Sequence, residues 1–459
     1  MASDVLTHSD IAGSLVVRAL CQEFLIRGVH LGISTADEML HFFQFAQGHD
    51  LERAVAMYLE SGHRIWATER QVLAWRFGSL GWGGRVLDFA SGYGRVTRHI
   101  VAEVPPGRVW VSDIYAEGVA FQERELRVHG FVSTTEPDRL PCDLGFDAIL
   151  VSSLFTHLPE GRFVAWLRRL GALVNAGGLL LFSVHDISLR REPAVTADFV
   201  FEPMSESGSL DHGEYGSSWA TESFVRSAVE AAVGPFPVLR IPRGLASFQD
   251  LYVVLKEEGA SPDVFADLRI ERAADGFLEH CSRGGARSLR LSGWCADRVA
   301  GRPPCEVRIR IDGTLVATCR DLQLRPSTAE AFAADPTEAV GWQEVVELPE
   351  GSDPESARLS IRPVSVSGEE TSLYEGSVAA ACLRSAQLDT LMLRSELAQR
   401  DALYREELDR SESRRAEVEA RNEELARRLH AVEASRFWKA RNLWFRFKRA
   451  AGFATGRVG

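Results

Sequence analysis

The sequence predicts a doubly wound α/β sheet with a helical cap before it, an all-β sandwich after it and a long helix at the end. Three patterns predict this. Between residues 85 and 184 short apolar runs alternate strictly with helical segments, and the first run bends into a helix through a loop with two glycines. From about residue 259 the pattern becomes period-two alternation broken by turn signals. Residues 383–435 then contain neither proline nor glycine and are rich in Leu, Ala, Glu and Arg. At 459 residues with 45% hydrophobic content, the chain is long enough for roughly two to three domains.

Residues 1–80 read as the cap. Apolar positions recur at spacings of three and four through Leu15 and Ala19, Met39 and Phe43, and Val55 and Leu59, ending in a helix near Phe77. The α/β domain follows over 81–258. Arg85–Phe89 is a buried strand, Ala90-Ser91-Gly92-Tyr93-Gly94 is a turn, and Arg95–Val101 starts a helix, so backbone N–H groups are expected to face an anion such as a carboxylate. Counting G-x-G-x-x-G from Gly92 puts Thr97 at the third glycine, and Asp88 in the strand would repel a pyrophosphate. An acid there suits a cationic ligand.

Asp88 to Gly94 resembles the first motif of the class I S-adenosylmethionine (SAM)-dependent methyltransferases, an acid followed by a small-residue loop ending G-x-G, with Ala90 in place of the usual first glycine. The resemblance implies a Rossmann-like seven-stranded methyltransferase sheet and S-adenosylmethionine as cofactor. Asp88, Ala90, Ser91, Gly92 and Gly94 would hold it. Asp113 ends the second apolar strand 19 residues after Gly94, where a ribose diol would be bound, with Ile114 beside it; a turn or N-cap aspartate is the rival reading. Glu136, four residues before Leu140-Pro141, takes the place of the family's adenine-contacting acid, and Ser152 closes the fourth strand. The family's cap helices close over the cofactor, so Tyr58 either touches it or packs within the cap.

The run Ser152-Ser153-Leu154-Phe155-Thr156-His157-Leu158-Pro159 resembles the family's S-x-F-T-H-L-P segment. His157 there, and His185 at the end of the fifth strand, are candidate general bases, with a capping or packing histidine as the alternative. The polar, turn-rich stretch from Ile187 to Trp219 is assigned to acceptor recognition through Glu206, Asp211, His212 and Tyr215. A helix over 221–233 and a hairpin over 236–242 and 249–255 complete the sheet.

Over 259–382 the alternating runs Leu289–Trp294, Val307–Ala317 and Ala357–Val364, with a strong Asp312-Gly313 turn, read as a β-sandwich. Its G-W-x-x-D run, I-D-G hairpin and Arg325-Pro326 resemble modules appended to bacterial glycan-processing enzymes. Residues 383–435 read as a coiled coil in which seven of twelve core positions are apolar, offering homo-oligomer contacts. The tail, 436–459, has seven basic and no acidic residues, with Phe437, Trp444 and Phe447 on one helical face. It suits an anionic membrane surface and also resembles tails of cell-surface glycosyltransferases and their accessory methyltransferases, so docking on such a partner is the rival.

A net charge of −12 disfavours nucleic acid as a partner, and seven scattered cysteines without a C-x-x-C pair argue against a metal site or a disulfide framework. The polar start and the lack of a long apolar run predict a cytoplasmic protein, peripheral at the inner membrane face through its tail. The expected function is O-methylation of a bacterial surface glycan or its precursor. A natural-product methyltransferase and a non-catalytic scaffold of a glycan-assembly complex are the alternatives.

Overall fold

A computed structural model describes residues 28–46, 51–78, 83–190, 197–203, 213–245, 248–296, 303–324, 339–386, 418–432 and 434–451, apart from isolated positions within them, together with 5–6, 24–25, 410 and 414–415. The chain divides into two compact units, Met1–Leu388 and Asp389–Gly459.

The first unit is built on a sheet whose main path runs β10-β11-β7-β6-β3-β4-β5. Strands β3 (Val86–Phe89), β4 (Val109–Asp113), β5 (His129–Val132), β6 (Phe146–Val151) and β7 (Val174–Asp186) are parallel to their neighbours. The hairpin of β10 (Val238–Leu245) and β11 (Gln249–Lys256) closes the far edge antiparallel to β7. The sheet has nine strands, not seven. Short strands β8 (Phe199–Glu202) and β9 (Ser217–Ala220) form inside the stretch read as a polar loop, because alternation in Ser217-Ser218-Trp219-Ala220 lets β9 extend β7 in parallel.

Adjacent residues along each strand enter different cores, as a sheet covered on both faces requires. Val86, Val111, Leu150 and Leu181 pack against Ile65, Trp66, Val72 and Leu73 of helix α2 (Leu51–Phe77). Leu87, Phe89, Ile149 and Phe182 pack against Phe163, Trp166 and Leu170 of α5 (Glu160–Leu173) and Val225 and Val229 of α6 (Glu222–Ala232). The boundary expected at residue 80 therefore moves. The second half of α2 is a layer of the α/β domain, and only its first half joins the cap core with Phe24, with Ile33 of β2 (Ile33–Ser34) and with Leu40 and Phe43 of α1 (Glu38–Ala46). The cap also contains a β1 (Val5–Leu6)–β2 pair, so it is not wholly helical.

Beyond Pro262, β12 (Asp275–Arg283), β13 (Ser288–Ala296), β17 (Ala339–Glu347) and β16 (Gln323–Leu324) form one four-stranded sheet in that order, and the hairpin of β14 (Glu306–Ile311) and β15 (Thr314–Cys319) with β18 (Arg358–Val364) and β19 (Tyr374–Ser377) forms another; they enclose one core around Leu291, Ile309, Trp342 and Ile361, as alternation predicts. Asp312 and Gly313 both have positive φ, which is what the tight β14 to β15 turn needs. Arg325 and Pro326 lie outside the described residues. In the second unit, residues 418–432 are helical, with Val418, Leu425, Leu429 and Val432 all exposed. The final helix, α7 (Arg436–Ala450), is capped by Ser435, which accepts from the Trp438 N–H. Of the other coiled-coil positions, Arg415 and Asn422 are exposed, and those from Arg394 to Ser411 lie outside the described residues.

Candidate active site

The site lies where β3, β4, β6 and β7 end. Asp88 is 2% exposed inside β3, and Ala90, Gly92 and Gly94 all take positive φ in the turn that follows. Ala90 sits at φ 60°, a conformation that glycine adopts freely and alanine does not. A Cβ at Gly94 would lie 2.9 Å from Leu126 Cδ1, so α4 (Ala116–Leu126) rests directly on the turn, whereas a Cβ at Gly92 would meet nothing within 4 Å. The turn is thus packed behind and open in front.

Its amides do not form the expected anion cradle. The Ala90 and Ser91 N–H groups donate to the Ser112 carbonyl, Gly92 N–H donates to Asp113 at 2.7 Å, and Gly94 N–H donates to Ser91 O. The helix after the turn, α3 (Thr97–Ile100), is a single turn long, so its N-terminus adds little dipole. The loop instead offers close approach of backbone to ligand.

Asp113, 7% exposed, accepts from Gly92 N–H and from Tyr115 N–H at 3.0 Å. It therefore holds the turn, and with the Ile114 amide also acting on it the carboxylate still keeps acceptor capacity for a diol. Burial raises its pKa, against the amide hydrogen bonds. Ile114, half-buried, follows it. Glu136 corrects the reading given to it. Both its oxygens accept from Arg162 of α5, one at 2.7 Å, and Arg162 also reaches Glu214, so an ion pair spanning 26 residues occupies the supposed adenine ligand.

Tyr58 belongs to the cap. It is fully buried, donates to Asp37 at 2.6 Å, and accepts from Arg98, whose guanidinium also donates to the carbonyls of Gly94, His30 and Gly32. This network pins the turn to the cap, and the tyrosine acts through it and not by touching a ligand.

Glu69 was invisible to motif reasoning. It sits on α2 at 1% exposure, in the apolar stripe of Ile65, Trp66, Val72 and Leu73. Ser152, just past β6, donates to its Oε1 at 2.9 Å, while Oε2 is buried with no hydrogen-bond partner among the described residues. Burial, then the nearby Asp88 charge, pushes its pKa up to about 8. Burial, with Asp113 adding, pushes Asp88 up to about 7 against the Thr97 hydrogen bond. An acid on an apolar helical stripe was the only available signal.

On the other side of Ser152, Ser153 has φ 67°, and its backbone N–H donates to Ser183 Oγ. The segment 154–158 pairs with the approach to β9 through Gly216 N–H to His157 O and Ser218 N–H to Thr156 O. This brings His157 and Tyr215 into a stacked pair at 4.7 Å and places His185 6.5 Å from His157. His157 Nδ1 lies 2.7 Å from Gly216 O, and since a carbonyl only accepts, Nδ1 carries a hydrogen. Burial and then His157 push the His185 pKa down to about 4, and His185 Nδ1 is buried with no partner among the described residues. Trp219 and Phe248 flank the His185 ring, each 6.1 Å away, and neither was anticipated. Glu206, Asp211 and His212 lie outside the described residues.

Residues 87–180, which contain the turn, Asp113 and His157, match a protein family described as a methyltransferase domain. The matched stretch is a methyltransferase domain. Solved structures similar to it include 1,6-didemethyltoxoflavin-N1-methyltransferase of Burkholderia thailandensis with bound 1,6-didemethyltoxoflavin and S-adenosylhomocysteine, at 19% identity and TM-score 0.33, covering 49% of this chain and 89% of that one. Magnesium protoporphyrin IX methyltransferase from Synechocystis PCC 6803 is 14% identical with TM-score 0.31, covering 44% and 87%. The glycopeptide N-methyltransferase MtfA is 15% identical with TM-score 0.29, covering 41% and 86%. No curated protein matches the chain. The methyltransferase domain's own geometry fits the cofactor: an open face over Gly92, buried acids at Asp88 and Asp113, and the orphaned Glu69 oxygen suit a ligand with hydroxyl and cationic groups.

Proposed function

We propose that this methyltransferase domain transfers the methyl group to a hydroxyl of a bacterial surface glycan or its precursor. The observation that carries the reading is the meeting of His157 and His185 at the carboxyl ends of β6 and β7, walled by Tyr215, Trp219 and Phe248. Aromatic faces suit the apolar faces of a ring-shaped acceptor, and the histidines suit its hydroxyls.

When bound, S-adenosylmethionine supplies an electrophilic methyl group. Asp113 would hold the ribose diol and the Gly92 face would admit the backbone approach. His185, neutral at any pH well above 4, would take the hydroxyl proton at Nδ1 as the oxygen gives an electron pair to the new bond and gains positive charge. His157, oriented by Gly216, would line the acceptor site.

The test is methyl transfer from radiolabelled S-adenosylmethionine into lipid-linked glycans of cell extracts. Label in the glycan fraction, reduced about a hundredfold or more in His185→Gln, supports the reading. Label confined to small hydrophobic metabolites would assign the aromatic walls to a natural-product acceptor instead, and no transfer despite cofactor binding would favour a scaffold.

A further inference from the structure

Glu69 has no structural reason to be where it is. A carboxyl oxygen buried without a donor costs stability, and orphaned buried polar atoms in a folded protein point to a missing partner. The α2 helix is held tightly in place around it. A Cβ on Gly62 would fall 2.1 Å from the Arg95 carbonyl, Arg95 donates to Ser61 Oγ at 3.1 Å, and Trp66 Nε1 donates to Glu103 at 2.9 Å. Glu69 is therefore presented, not stranded.

The sheet order says what its partner is. Across β4, β3 and β6 the acids and their neighbours come in the sequence Asp113, Asp88, then Ser152 with Glu69. A cofactor whose ribose meets Asp113 extends its methionyl end toward Asp88 and Glu69. That end carries an ammonium group with three donors.

Proton accounting adds an independent observation. Thr97 Oγ1 lies 2.7 Å from both Asp88 Oδ2 and Gln122 Oε1, yet a hydroxyl has one hydrogen. The Gln122 amide cannot supply the second, because its NH₂ donates to Ser91 Oγ and to the Gly92 carbonyl, both at 2.9 Å. Thr97 donates to Asp88 Oδ2, so Gln122 Oε1 must share that single hydrogen, and a hydrogen on Asp88 would satisfy both contacts.

We propose that Glu69 is a cofactor-positioning residue which, with Asp88, receives the methionyl ammonium of S-adenosylmethionine, and that the pair gives up a proton to solvent as the ammonium arrives. The inference rests on the cofactor reading. The charged groups facing the pair are Arg95 and Asp113, which act in opposite directions, and burial dominates both. A cation favours the ionised carboxylates, so affinity rises with pH through the neutral range.

Calorimetry on the full chain tests this with three probes: S-adenosylmethionine, S-adenosylhomocysteine, and 5′-methylthioadenosine, which lacks the amino-acid portion. Titrations in phosphate and in Tris near neutral pH should show release of about one proton for the first two probes and none for the third. Glu69→Gln should weaken both amino-acid-bearing probes by about ten- to hundredfold, flatten their pH dependence and leave methylthioadenosine within about threefold. Unchanged affinity and proton count in Glu69→Gln overturn the inference alone, as does equal loss for methylthioadenosine, which would mean a merely structural role. Loss for S-adenosylmethionine but not for S-adenosylhomocysteine overturns it in favour of the sulfonium. Failure of the parent chain to bind any probe removes the cofactor reading itself.

Discussion

Ala90 holds a left-handed backbone at φ 60°, where the family motif uses glycine, and the amides around it are tied to Ser112 and Asp113. Relief of that strain should outweigh the extra freedom glycine gives the unfolded chain. Ala90→Gly is expected to stabilise the domain by up to about 1 kcal/mol, read by urea unfolding, with cofactor affinity retained. Glu69 and Asp88 make stability depend on pH in a defined direction. Their pKa values rise on folding from 4.5 to about 8 and from 3.8 to about 7. The folded state therefore binds protons more tightly than the unfolded one, and stability present below the unfolded values is lost as pH climbs through the folded ones. Glu69→Gln should raise the thermal midpoint of the ligand-free protein by a few degrees, on the order of ~3 °C, at alkaline pH and by much less in mild acid. A purely local sequence reading could not reach Glu69, since an acid in a helix normally faces water; nor could it see that Arg162, far along the chain, would claim Glu136.

At the scale of elements, α2 does the positioning. One helix serves two cores, and it carries Tyr58 toward the cap network and Glu69 toward the turn. Gly62 permits its close crossing over Arg95. Gly62→Val should push α2 away, costing about 1–3 kcal/mol in denaturant unfolding and weakening cofactor binding together with stability, unlike Glu69→Gln. The strands of the sheet were legible because their apolar runs are long and regular. Strands β8 and β9 were not, because four residues of alternation inside polar sequence gain strand geometry only from the exposed end of β7. The α7 helix presents Phe437, Leu443, Trp444 and Phe447 at 79%, 72%, 58% and 66% exposure, with Arg441 and Lys448 against the tryptophan rings. Full-length protein is expected to sediment with anionic but not neutral vesicles, and Trp444→Ser with Phe447→Ser to abolish it. Sedimentation unaffected by the double change would point to a protein partner for this segment.

For the whole molecule, the two compact units predict separable functions. A chain ending at Leu388 should keep the fold and the cofactor affinity of the full protein within about twofold by calorimetry, because every core around the turn lies before that point. Among the described residues no helix is long and apolar enough to cross a membrane. The amino-acid order alone determined the α/β alternation, the glycine turn with its flanking acids and the change to sandwich and helix, since these depend on periodicity and local backbone preference. Which acids are buried, which loop amides are already spent and which histidines meet were decided only in three dimensions. Those properties arise from contacts between segments distant along the chain, and burial, not residue type, sets whether a carboxyl holds its proton.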